Sequence, residues 1–179
     1  MQRNDVAHRD LKPANLVLHF PKMPTFADEK CRTEFLRNFD FVKNADWVLK
    51  IADLGFAKEI MEGDTTETLL GTAQYCAPEI ASREPYNSQC DVWSIGSIVY
   101  SLLVGWNRFP FSAGDFRTLR KCHERGGWKV DKDKGLSKET LMFLNECLVY
   151  SPSERITIEQ MSSHPFITCT LPTSKFETP

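Results

Sequence analysis

Helical periodicity dominates the second half of the chain. Between 91 and 104 the apolar residues point in nearly every direction around a helix, which predicts a central helix buried on all sides. Ser137 is expected to cap a further helix. Thr157 and Gln160 form the capping-box pattern of a short last helix that stops near Pro165. The second half is therefore expected to be a helical body built around one central helix.

The first half of the chain contains two short strand-like runs, at 16–18 and 48–51, which we expect to pair as a hairpin. The connection between them, from 19 to 47, has 29 residues, whereas hairpin loops usually have about 2 to 5. Within this insert, Thr25 followed by Asp28 indicates a helix start, and apolar residues then recur every four positions, as in a short amphipathic helix. The insert is either a functional element or a surface decoration, and the pattern leaves both readings open.

Composition narrows the class of protein. The 179 residues include 22 Lys plus Arg and 24 Asp plus Glu, so the formal charge of −2 provides no broad attraction to nucleic acid or to an anionic membrane. A hydrophobic fraction of 41% excludes a disordered chain. The longest uncharged stretch, 92–107, has 16 residues, which is shorter than the roughly 20 that a membrane helix needs. Residues 1–20 lack the apolar core of a secretory signal, so we expect an intracellular, cytoplasmic location.

The six cysteines and four histidines are scattered along the chain without the spacing of a zinc site. We expect most of the cysteines to be buried, reduced thiols. No metal site built from cysteine and histidine is predicted.

Three polar motifs follow one another in a fixed order. The run His8-Arg9-Asp10-Leu11-Lys12-Pro13-Ala14-Asn15 comes first, Asp53-Leu54-Gly55 follows the second strand, and Ala77-Pro78-Glu79 comes after Gly71-Thr72. This order resembles the catalytic loop, metal-binding motif and activation segment of eukaryotic-type protein kinases. The resemblance covers 1–167 and corresponds to the C-terminal lobe of the kinase domain, with the insert at 19–47 and a tail at 168–179.

The resemblance implies a fold that is mainly α, with a short β-hairpin at the catalytic and metal-binding loops, within the α+β kinase architecture. It also implies the chemistry of a serine/threonine kinase, which transfers the γ-phosphate of ATP to hydroxyl groups of protein substrates. Asp10 would accept or orient the proton of the substrate hydroxyl, and Lys12 would place a positive charge on the transferring phosphate. Asn15 and Asp53 would supply oxygen ligands to Mg²⁺, which bridges the phosphates of ATP.

The activation segment carries several candidate regulatory residues. Arg9 precedes the catalytic Asp, an arrangement that in the family accompanies phosphorylation of this segment, and a guanidinium can bind two phosphate oxygens at once. Thr65, Thr66 and Thr68 are the candidate phosphorylation sites; the sequence does not choose among them and leaves open that none of them is used. Thr72 resembles the threonine that bonds to the catalytic Asp and Lys.

Other motif residues are expected to be structural. Glu79 resembles the kinase glutamate that forms a buried ion pair, and Arg155 occupies the position of its partner. Asp91 resembles the aspartate that anchors the backbone of the catalytic loop, and it can also act as a helix cap. His8 is interpreted as a packed scaffold residue, because Asp10 already fills the role of the base.

Individual segments are similar to different subfamilies of kinases. The segments around Asp53 and Asp91 are similar to the Unc-51-like autophagy kinases, whereas the segment 71–79 is closer to the inhibitor-of-NF-κB kinases. Protein substrates are expected, with a regulatory protein at the insert.

Only nine residues precede Asp10, so the ATP-gripping lysine of a kinase cannot lie before it. We therefore expect a fragment that is inactive alone; the alternative is a non-catalytic, kinase-like binding or scaffold protein.

Overall fold

The structure is a computed structural model that describes residues 6–41, 43, 46–56, 58–59, 73–113, 115–130 and 135–168. In chain order the described strands and helices are β1 (Val6–Ala7), β2 (Leu16–His19), α1 (Glu29–Asn38), β3 (Val48–Ile51), β4 (Lys58–Glu59), α2 (Pro78–Ser82), α3 (Gln89–Val104), α4 (Phe116–Arg125), α5 (Lys138–Cys147), α6 (Ile158–Ser163) and α7 (Pro165–Thr168). The chain divides into two compact units, a smaller one of residues 14–53 and a larger one made of 1–13 and 54–179.

The larger unit contains helices α2 to α7, in agreement with the helical body predicted for the second half of the chain. Strands β1 and β4 pair antiparallel, with Val6 opposite Glu59, and the helices α2 to α7 make up most of the rest. Its core is a set of large side chains that are almost completely buried: Val92, Trp93, Leu119, Phe143 and Leu144. These residues come from α3, α4 and α5, so the core lies where these three helices meet.

Helix α3 is the central helix that the hydrophobic pattern predicts, but it is not buried on all sides. Leu102 and Leu103, in its last turn, are 62% and 40% exposed, so that part of the prediction is wrong. The last turn of α3 is thus partly open to solvent, whereas the helix packs closely against α5 earlier along its length, at Gly96. A Cβ atom added there would lie only 2.7 Å from Cβ of Cys147, so α3 and α5 pack closely there.

The predicted helix caps are confirmed. The Ser137 hydroxyl accepts the Thr140 amide at 3.2 Å and starts α5. Thr157 and Gln160 form a reciprocal capping box at the start of α6. This helix ends at Ser163, as its pattern indicates, and Pro165 then opens the short helix α7.

The smaller unit is built on the predicted hairpin. Strands β2 and β3 pair antiparallel, with Leu16 opposite Ile51 and His19 opposite Val48. The insert between them contains the predicted helix, α1, which begins only after Asp28, because the Asp28 carboxylate accepts the Cys31 amide at 2.8 Å and so fixes the first turn. A chain of ring contacts then links the aromatic residues of the insert: Phe20, Phe26, Phe35, Phe39, Phe41 and Trp47.

The described residues bear on the membrane, cysteine and metal-site expectations of the sequence analysis. None of the helices in these residues is long and apolar enough to cross a membrane. The thiols of Cys76, Cys90 and Cys147 are free and buried, as expected, whereas Cys31 is exposed and Cys122 partly exposed. Within the described ranges, no group of three or more His, Cys, Asp or Glu side chains could hold a metal ion.

Candidate active site

The residues that the motif analysis assigns to catalysis lie in a loop of the larger unit. The side chains of Asp10 and Lys12 form an ion pair, with Nζ of Lys12 2.6 Å from Oδ2 of Asp10. The Asp10 side chain is 3% exposed and that of Lys12 is 26% exposed. The pair therefore combines a buried carboxylate with an ammonium that solvent can still reach.

Asp91 holds the backbone of this loop from the first turn of α3. Its Oδ2 accepts the amide of His8 at 2.7 Å, and its Oδ1 accepts the amide of Arg9 at 3.0 Å. Burial raises the pKa of the Asp91 carboxyl, while the two backbone amides act in the opposite direction. Both carboxylate oxygens thus anchor the two residues that directly precede Asp10.

His8 is a scaffold residue in this arrangement. Its side chain is completely buried, and its Nδ1 accepts the amide of Asp10 at 3.3 Å. An imidazole that accepts at Nδ1 carries its proton at Nε2 when it is neutral. His8 therefore stabilises the backbone of the loop at Asp10.

Arg9 has an unusual backbone and a defined side-chain contact. Its φ is 70°, in the left-handed region, and its Nη1 donates to the hydroxyl of Tyr86 at 2.8 Å. The candidate phosphorylation sites associated with Arg9 lie outside the described residues; they are Thr65, Thr66 and Thr68. Thr72, which is expected to bond to the catalytic Asp and Lys, lies outside them as well.

The structure brings Glu79 and Arg155 together in a buried ion pair. Nη1 of Arg155 donates to Oε1 of Glu79, and Nη2 donates to Oε2, each at 2.6 Å. Arg155 also donates to the carbonyls of Val149, Tyr150 and Gln89 at 2.7, 3.0 and 3.0 Å. These contacts tie α2 to the start of α3 and to the segment after α5.

The two residues assigned to metal binding belong to the smaller unit. The backbone carbonyl of Asn15 accepts the Ala52 amide at 2.8 Å, which extends the β2–β3 ladder by one pair and sets Asp53 next to that end of the hairpin. Asn15 is buried, whereas Asp53 is exposed and has a left-handed φ of 59°. One amide oxygen and one carboxylate suit Mg²⁺, which usually takes one or two protein carboxylates and completes its shell with water and phosphate oxygens.

Sequence reasoning missed two polar residues that support these groups. Tyr86 contacts Arg9, and the side-chain amide of Gln89 donates to the carbonyls of Arg155 and Ile156 at 3.2 and 3.3 Å. Neither residue belongs to the motifs used in the sequence analysis. The one available signal was their position, because both lie within five residues of Asp91.

A comparison with protein families finds a match to the protein kinase domain over residues 1–167. Among curated proteins, the serine/threonine-protein kinase apg-1 of Neurospora crassa is 33% identical over 180 residues, covering 96% of this chain and 18% of the relative. The serine/threonine-protein kinase ATG1 of Colletotrichum lindemuthianum is 32% identical, covering 96% of this chain and 26% of the relative. A probable myosin light chain kinase of Dictyostelium discoideum is 32% identical, covering 94% of this chain and 46% of the relative. The chain thus spans less than half the length of each of these relatives.

Proposed function

Because the chain belongs to the protein kinase domain family, as its motif order predicts, we propose that the protein containing it transfers the γ-phosphate of ATP to serine and threonine hydroxyls of protein substrates. The observation that carries this proposal is the buried Asp10 carboxylate paired with Lys12 in a loop that Asp91 anchors. Lys12 favours the serine/threonine class, because serine/threonine kinases have a lysine at this position.

Asp10 is the residue that acts on the nucleophile. A carboxylate is ionised at neutral pH and can accept a short hydrogen bond from the substrate hydroxyl, which orients the oxygen for in-line attack. Nζ of Lys12 donates a hydrogen bond to Oδ2 of Asp10 at 2.6 Å. Its positive charge would stabilise the negative charge of the phosphoryl group during transfer. Phosphoryl transfer depends mainly on positioning and charge stabilisation. Asp10 would position the nucleophile, and Lys12 would stabilise the charge.

Asn15 and Asp53 are the proposed ligands of Mg²⁺, the cofactor that neutralises phosphate charge when ATP is bound. The hairpin ladder supports this assignment, because it holds the two residues at the same end of β2 and β3. The left-handed backbone of Asp53 fixes the direction in which the chain leaves the strand.

Regulation is proposed at the activation segment. Arg9 would bind a phosphate on Thr65, Thr66 or Thr68, and Thr72 would bond to the catalytic pair. A guanidinium suits this role because its planar donors match two phosphate oxygens.

We further propose that 1–167 form the C-terminal lobe of the kinase domain and that 168–179 form a tail. The order of motifs and the helical body of the larger unit support this division. The insert at 19–47, with its own helix α1 and aromatic contacts, is the proposed site of a regulatory protein. We also propose a cytoplasmic location, where ATP and intracellular protein substrates are available.

Phosphate transfer to defined peptides tests the proposed function. The natural protein that contains these residues would be incubated with Mg²⁺-ATP and with three matched peptides whose only hydroxyl residue is serine, threonine or tyrosine. We expect transfer to the serine and threonine peptides only. Binding of Mg²⁺-ATP or of substrate without any transfer would support the non-catalytic alternative, and transfer to tyrosine alone would contradict the assigned class.

A further inference from the structure

The loop that carries Asp10 is held at two separate points on Arg9. Asp91 accepts the Arg9 amide at 3.0 Å, and the hydroxyl of Tyr86 accepts a hydrogen bond from Arg9 Nη1 at 2.8 Å. One contact fixes the main chain and the other fixes the end of the side chain. Tyr86 lies between α2 and α3, and Asp91 lies in the first turn of α3. Arg9, Asp10, Tyr86 and Asp91 all belong to the larger unit.

The backbone of Arg9 needs such support. Its φ of 70° lies in the left-handed region, which residues with a Cβ atom adopt only when their surroundings impose it. If Arg9 relaxed to a negative φ, the peptide group between Arg9 and Asp10 would turn, and the Asp10 carboxylate would turn with it. The local bond from the Asp10 amide to His8 Nδ1 is long, at 3.3 Å, and offers little resistance.

Tyr86 is suited to hold the guanidinium in one place. It is 7% exposed and packs in the hydrophobic core, so its hydroxyl has a fixed position. The arginine side chain is long and has several rotatable bonds, and a bond to a charged donor is stronger than a neutral one. The rigid partner therefore determines where the flexible one lies.

We propose that Tyr86 is a positioning residue for the kinase reaction, acting on Asp10 through Arg9. This inference rests on the proposed function, because it assumes that Asp10 orients the substrate hydroxyl. Tyr86 itself touches no reacting group in this account. Its hydroxyl holds the Arg9 guanidinium, the held side chain maintains the left-handed backbone, and that backbone directs Asp10.

A double-mutant cycle tests the proposal. Tyr86→Phe and Arg9→Ala are made singly and together in the natural protein that contains these residues. Tyr100→Phe is the matched control, because Tyr100 is similarly buried at 6% and its hydroxyl donates elsewhere, to the Lys129 carbonyl at 2.8 Å. The measurements are kcat, KM for ATP and the thermal midpoint of unfolding.

We expect Tyr86→Phe to lower kcat about tenfold, the effect of one lost hydrogen bond to a charged group, while KM for ATP changes less than twofold. In the Arg9→Ala background the same substitution should cause no further loss. Tyr100→Phe should lower the thermal midpoint and leave kcat unchanged. Equal losses from Tyr86→Phe in both backgrounds would overturn the proposal, and so would a kcat unchanged by Tyr86→Phe.

Amide hydrogen exchange separates a failure of this inference from a failure of the proposed function. If the unmodified protein transfers no phosphate, the proposed function fails, but the contact can still be tested in the 179-residue chain. Exchange of the Asp10 amide should become about tenfold faster in Tyr86→Phe and should not change in Tyr100→Phe. An Asp10 amide that exchanges at the same rate in both variants would overturn the positioning role by itself.

Discussion

Glu79 and Arg155 are both almost completely buried and share two hydrogen bonds of 2.6 Å. Glu79→Gln should therefore lower the free energy of unfolding by about 3 to 5 kcal/mol, because it leaves the Arg155 charge buried without its counter-ion. Urea unfolding of the purified chain measures this loss. Arg32→Gln is the control, since it breaks the exposed pair with Glu29 and should cost less than about 1 kcal/mol. Similar losses in the two variants would contradict the buried character of the first pair.

His123 predicts a pH dependence of stability. Burial, and secondarily the positive charge of Arg155, lower the pKa of its imidazole from 6.5 to about 4. The folded state therefore binds the proton less tightly than the unfolded state, so this group's contribution is complete above about pH 6.5 and is lost as the pH falls towards 4. The loss over that window should be about 3 kcal/mol.

Unfolding curves between pH 4 and pH 7 measure this dependence. His123→Phe keeps a ring in contact with Trp93 and Phe111 and cannot titrate, so its stability should vary less with pH than that of the unmodified chain. An unchanged slope in His123→Phe would show that another group is responsible.

Among the elements, α3 and α5 pack closely against each other at Gly96. A Cβ atom at Gly96 would lie 2.7 Å from Cβ of Cys147, a distance that real structures avoid. Gly96→Ala should destabilise the chain by about 1 to 3 kcal/mol, because overpacking exceeds the gain in helix propensity of up to about 1 kcal/mol. Thermal unfolding would show the loss. Leu102→Ala, at an exposed position of the same helix, should change stability by less than about 0.5 kcal/mol.

The elements also show what could be predicted from the sequence and what could not. The caps at Ser137 and Thr157 were predictable because capping depends on residues only three positions apart. The strand pairing was predictable from two short strand-prone runs, and the family was predictable from the order of the motifs. The exposure of Leu102 was not, because it depends on which elements pack against α3 far along the chain. The hydrogen bond from Arg9 to Tyr86 joins residues 77 positions apart in the sequence, so no local sequence pattern predicts it.

At the scale of the whole molecule, both faces of the hairpin carry apolar residues that remain exposed: Val17 and Val48 lie on one face, and Leu18, Leu49 and Ile51 lie on the other. Leu18 is paired with Leu49, and these two side chains are 41% and 51% exposed; Ile51, two residues further along β3, is 46% exposed. We expect the purified chain to associate at high concentration, since exposed apolar surface of this kind favours contact between molecules. Replacing Leu18 and Leu49 by Thr should reduce the association without changing the strand register.

Sedimentation velocity over a range of concentrations measures this association. Lys50→Thr is the matched control, because it changes the residue next to Leu49 on the opposite face of β3 and should leave the association intact. A monomeric, soluble chain at high concentration would contradict the expectation.

The most direct test of the account is the substitution Asp10→Asn in the natural protein that contains these residues, with phosphate transfer and ATP affinity measured on the same sample. Asp115→Asn serves as control, because Asp115 caps α4 and belongs to none of the motifs assigned to catalysis. Asp10→Asn should slow transfer by about 100- to 10,000-fold, the usual contribution of a general base, while ATP affinity stays within about twofold. Transfer at the unmodified rate, or loss of ATP affinity together with transfer, would contradict the role assigned to Asp10.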